Sequence, residues 1–126
     1  MSASMFALIF GIVYVLVALL EVVMFHDAPV DTQFLFYNQM HNLVHWVAGI
    51  LGLLAYFGGE SLSRLYAQIF GIVFFLVAIL GFIPGQPILA DVLGYPVNML
   101  YNFIHLLTGV FGIWAGFFGL ETGEKS

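Results

Sequence analysis

The sequence predicts an all-α integral membrane protein: a four-transmembrane-helix, up-down-up-down bundle built from a tandem duplicated helical hairpin. Three observations predict it. Charge is sparse, with 7% of residues charged against 63% hydrophobic, where soluble domains carry about 25% charged residues. The charges also cluster: none falls between Met5 and Leu20, between Gln33 and Gly59, or between Leu65 and Ala90. Apolar runs of roughly 20 residues cross the hydrocarbon core as helices, the one backbone form besides a closed barrel that satisfies itself there. Finally, the chain repeats at an offset of sixty. Residues 6–59 laid on 66–119 without a gap share 19 identical pairs in 54. Shared apolar composition explains some of these, but not Asn, His and Gly recurring at one fixed offset.

Four spans follow, at about 4–25, 37–58, 65–83 and 97–119, in a single membrane domain covering 1–126. Repeat 1 takes about 4–59, repeat 2 about 64–119, and 120–126 form a polar C-terminal tail. The first span has no basic leader and no small-residue cleavage site, so it is expected to stay as a span. Spans one and three place Ala7, Gly11 and Ala18, and again Ala67, Gly71 and Ala78, on one face, the small-residue spacing that lets membrane helices approach closely. Spans two and four carry N-x-x-x-N-x-x-H-x-x-x-G-x-x-G. Asn38, Asn42, His45, Gly49 and Gly52 fall in a stripe about 80° wide, as do Asn98, Asn102, His105, Gly109 and Gly112. Each repeat has an even number of spans, so the halves share an orientation. Their pseudo-two-fold axis then lies along the membrane normal, and His45 and His105 sit at equal depth.

The connections are read more coarsely. Residues 59–64 form a short link between the hairpins, and 26–36 and 84–97 form longer loops punctuated by Pro29, Pro84, Pro87 and Pro96. Residues 87–95 are expected to make a short interfacial helix. Tyr37, Tyr95 and Tyr101 fall where an aromatic belt belongs, and Trp46 and Trp114 read as lipid-facing or packing residues. Gly112 and Gly116 offer a small-xxx-small dimer face. Arg64 and Lys125, the two basic residues, lie on the side shared by both termini and the 59–64 link. The positive-inside rule therefore places both termini in the cytoplasm.

A net charge of −5 excludes a basic nucleic-acid surface, and the absence of cysteine removes disulfides and thiolate chemistry. No G-x-S-x-G, P-loop, dinucleotide fingerprint or H-E-x-x-H occurs, so the chain is expected not to be an enzyme. Asparagine and histidine inside a span are costly and face the bundle interior, where three readings compete. In the first, Asn42 and Asn102 bond to His105 and His45, or to backbone bared by glycines. The protein is then a non-enzymatic scaffold or accessory subunit needing no cofactor, partnered by the lipid bilayer and by its own copies or a larger membrane complex. In the second, His45 and His105 are axial ligands to a tetrapyrrole, haem or chlorophyll, in a pocket lined by Asn42, Asn102, Gly49 and Gly109, for electron transfer or pigment attachment. In the third, the stripe serves a small channel or carrier, with Glu21, His26, Asp27, Asp31 and His41 as its entrance. His41 and His45, one turn apart, also have a spacing that can hold a metal.

The segment GIVFFLVAILGFIPG, then LGYPVNMLYNFIHLLTGVFGIWA in the second half and HNLVHWVAG at His41–Gly49 in the first, resembles a family of small bacterial four-helix membrane proteins catalogued as a domain of unknown function, family 4383. The resemblance covers nearly the whole chain. It implies a four-span topology and a bacterial inner membrane, and it brings no activity. Tyr101 stands where the leading histidine of the H-N-x-x-H pattern would fall in the second half, and the first half has Glu21 and a different loop in place of Gly-Phe-Ile-Pro.

Overall fold

The computed structural model describes residues 1–25, 39–83 and 99–119, which form four helices. They are α1 (Ala3–Phe25), α2 (Gln39–Gly58), α3 (Glu60–Phe82) and α4 (Met99–Phe118), each long and apolar enough to cross a membrane. The expected interfacial helix at 87–95, the proline-bearing loops and the 120–126 tail lie outside the described residues.

Ser2 opens α1, its hydroxyl accepting from the Met5 amide at 3.1 Å and so satisfying one of the donors a helix start leaves over. The link between hairpins is shorter than the expected 59–64 loop. Only Gly59 separates α2 from α3, with φ 106°, a left-handed backbone that a Cβ disfavours. The third helix therefore begins at Glu60, five residues before the sequence-based boundary. Its polar first turn is tied to neighbours. Ser63 donates to Ala55 O at 3.0 Å, Arg64 reaches Glu60 at 3.4 Å, and Arg64 also donates to Gly116 O at 3.3 Å.

Tight packing within α1–α2 and within α3–α4 rests on missing Cβ atoms. A Cβ added at Gly11 would stand 2.9 Å from Leu53 N and 3.1 Å from Gly49 O. One at Gly71 would stand 2.6 Å from the Gly112 backbone. Gly11 meets Gly52, and sixty residues on Gly71 meets Gly112. Such contact is favoured in lipid because, without a hydrophobic drive between helices, dispersion and close backbone approach supply the association. Gly112 and Gly116, read from sequence as a dimer face, are used inside the bundle: Gly112 against Gly71 and Gly116 against Gln68.

The distribution of polarity is inside-out. Glu21, His41, Asn42, His45, Asn102, His105 and Thr108 are buried, while Leu16, Val23, Leu54, Phe57, Leu76 and Phe118 are exposed. Trp114 is exposed as expected, but Tyr101 is wholly buried rather than part of a belt.

Substitution at two glycines should separate packing from mere helix membership. In Gly109→Ala the new Cβ would meet Phe75 backbone at 2.5 Å, and overpacking should cost about 1–3 kcal/mol. At Gly58 the clash is only with the flexible end of Leu62, so Gly58→Ala should change stability by under about 1 kcal/mol. Unfolding in mixed detergent micelles measures both.

Candidate metal centre

On α1, Ala7, Gly11, Tyr14, Ala18 and Glu21 recur at alternating spacings of four and three and are all buried, so one stripe runs from small packing residues to a carboxylate. Glu21 is fully buried and accepts from three donors. His45 Nδ1 lies 3.1 Å from both carboxylate oxygens, Asn42 Nδ2 lies 3.0 Å from Oε1, and the Tyr101 hydroxyl donates to Oε2. Asn42 also donates to Ala18 O at 2.9 Å. One carboxylate thus gathers side chains from α2 and, through Tyr101, from α4.

This orients the His45 ring. With Nδ1–H bonded to a carboxylate, the imidazole presents its Nε2 lone pair. That Nε2 is buried and has no hydrogen-bond partner among the described residues, and the same holds for Nε2 of His105. His41 completes the cluster. Its ring lies 4.1 Å from that of His45 and 5.7 Å from that of His105, and His45 and His105 are 6.0 Å apart. One ligand nitrogen from each of the three lies within 4.8 Å of the others. Metal–imidazole bonds of about 2.0–2.1 Å place ligand nitrogens roughly 3.5 Å apart, so each must move inward by under about 1 Å. Below the cluster, Tyr14 and Phe74 stack at 4.9 Å, with Tyr14 against His45 at 5.4 Å and Phe74 against His105 at 5.3 Å. Tyr14 and Thr108 hydroxyls are 2.7 Å apart, and Thr108 donates to Ile104 O.

The site residues expected from sequence come together in part. His45 and His105 face one another, and His41 joins them rather than lying at an entrance. Glu21, expected beside His41 at the membrane edge, is interior; His26, Asp27, Asp31, Asp91, Asn38, Asn98, Tyr37 and Tyr95 lie outside the described residues. Asn42 and Asn102 do not bond to the histidines of the other half. Asn42 takes Ala18 O and Glu21, and Asn102 takes Gly81 O at 2.9 Å. Gly49 and Gly109, expected as pocket lining, are packed instead: a Cβ there would meet Val15 at 2.6 Å and Phe75 at 2.5 Å.

The two halves differ where the site is built. Glu21 and His41 correspond to Gly81 and Tyr101, and the Asn102 amide oxygen stands against the position a Gly81 Cβ would take. A second carboxylate there would require the Asn102 amide to move, as Asn42 is placed beside Glu21 in the first half. Sequence reading passed over Tyr14 and Thr108 and misplaced Tyr101. The signal for Glu21 was its place in the α1 stripe, three residues beyond Ala18.

Fold and site define a protein of four helices of membrane-spanning length enclosing a histidine–carboxylate cluster able to hold a metal. The chain belongs to the family described as Domain of unknown function (DUF4383), whose model matches residues 4–118. No curated protein and no solved structure matches it.

Removing the carboxylate should cost more than removing one of its donors. Glu21→Ala leaves three buried donors without their acceptor and opens a cavity, for an expected loss of about 2–4 kcal/mol. Tyr101→Phe removes one bond and should cost about 1 kcal/mol. Equal losses in micelle unfolding would show that Glu21 does not organise the cluster.

Proposed function

We propose that this protein is a multi-pass membrane protein that holds one transition-metal ion, copper(I) by preference, through His41, His45 and His105. The observation that carries this is the convergence of the three buried imidazoles, one oriented by Glu21 in the carboxylate–histidine arrangement typical of metal ligands. Imidazole suits copper, zinc, iron and nickel. Charge decides among them. Among the described residues Glu21 is the carboxylate at the cluster; a copper(I) ion would balance it, whereas a divalent ion would leave a net positive charge. An uncompensated charge at bilayer depth costs on the order of 2.5–3.5 kcal/mol, roughly a hundredfold in affinity. Three nitrogen ligands also suffice for copper(I).

A bare ion fits better than the tetrapyrrole considered from sequence. A macrocycle needs an open slot between His45 and His105, but His41 and Tyr101 pack against both rings, and the flanking glycines are spent on helix contact. The apolar exterior suits lipid and partner helices alike, so the role of an accessory subunit in a larger complex, or of a self-associating one, is compatible with the metal site. The topology belonging to this reading is the up-down-up-down bundle from a duplicated hairpin. Recurring pairs, Gly11–Gly52 with Gly71–Gly112 and Tyr14–His45 with Phe74–His105, support it. The residence belonging to this reading is a bacterial inner membrane, and Arg64 at the α2–α3 end supports an orientation with both termini in the cytoplasm.

The protein purified in mild detergent and loaded with copper(I) under reducing conditions should retain one copper per chain by elemental analysis, even in the presence of excess zinc. His45→Ala and His105→Ala should abolish retention while keeping native helical content and a monodisperse profile. Wild-type protein that retains no more copper than a correctly folded His105→Ala variant would sink the proposal.

A further inference from the structure

Beside the histidine cluster lies a cavity of about 60 Å³. Met40 and Val44 of α2 and Val73 and Val77 of α3 form its wall, and it ends against His41 and His105. Met40, Val44 and Val73 are also exposed on the outside of the bundle, so the cavity lies between the lipid-facing surface and the imidazoles. Its wall is apolar. A buried water needs two to four polar partners, whereas apolar cavities stay dry and take up apolar guests such as xenon. The space therefore suits a molecule of a few atoms that dissolves in hydrocarbon.

The ligand count points the same way. Three imidazoles would leave a fourth position open on a four-coordinate ion, and among the described residues the helices close on the cluster elsewhere. Glu21, Asn42 and Tyr101 occupy one flank, and the stacked Tyr14–Phe74 pair lies beneath. The cavity remains as the approach to two of the three ligands. We infer that it admits a small apolar diatomic ligand of the chemical class of CO, one that binds through a lone pair, from the lipid to the open coordination position of the metal. Nothing is oxidised or reduced in this step: the carbon lone pair is donated to the ion and the gas is released unchanged. The inference rests on the metal reading above.

Carbon monoxide is the probe, because its stretching band reports coordination to copper(I) directly. Copper(I)-loaded protein exposed to CO should show one infrared C–O band that is absent from the metal-free protein. Val77→Phe, which fills the cavity, should lose the band while retaining its copper. Met40→Phe, at the exposed rim, should act in the same direction and guards against misfolding of the interior variant. If no copper is retained, the metal reading fails and takes this inference with it. Retained copper with no CO band overturns the inference alone. So does a CO band of wild-type strength in both variants, since the gas would then arrive by another route.

Discussion

The structure around the cluster depends on one buried carboxylate. Glu21 accepts from Asn42 and His45 of α2 and from Tyr101 of α4, so a single side chain on α1 determines how two other helices are registered against it. Burying a carboxylate among apolar helices is unfavourable unless its lone pairs are filled. Here three donors fill them, and the requirement works in both directions: the carboxylate needs its donors, and the donors hold their rotamers because the carboxylate is there. The imidazole of His45 is oriented by this constraint, and the other two rings are packed against it.

Helix spacing sets the limits within which that network forms. In α1–α2 and α3–α4 the glycines bring backbones into contact, which leaves no room beside them for a large cofactor. The same closeness makes the two halves unequal. Asn102 lies against Gly81, where the first half has Glu21. An alanine at position 81 would require the Asn102 amide to shift, and as it stands Asn102 takes a backbone acceptor, Gly81 O. Among the described residues one carboxylate, Glu21, then stands beside three histidines, and its charge bears on which ion is proposed for the cluster.

Much of the fold was legible because bilayer physics leaves so few solutions. Long uncharged runs are read as helices, and Asn, His and Gly recur at an offset of sixty on α2 and α4. The boundary of α3 was misjudged for an identifiable reason. Glu60, Ser63 and Arg64 were read as loop because they are polar, yet their side chains are satisfied at the bundle end, by Ala55 O, by Gly116 O and by the Glu60–Arg64 pair. In the channel reading Glu21 belongs with His26, Asp27, Asp31 and His41 at an entrance on the membrane edge. Its position in the α1 stripe argued for the interior, but only knowledge of three waiting donors makes that interior tolerable.

The amino-acid sequence by itself determined four helices of spanning length and the faces on which their small and polar residues fall, His45 and His105 among them. These follow from composition and periodicity, which act residue by residue along one helix. Tertiary structure decided the rest: that His41 turns in to join the pair, that Tyr101 bonds to a carboxylate eighty positions earlier in the chain, and that Gly49 and Gly109 close helices rather than open a pocket. Each of these depends on which surfaces of different helices meet, and at what distance. A stripe on one helix cannot specify that until its neighbour is in place.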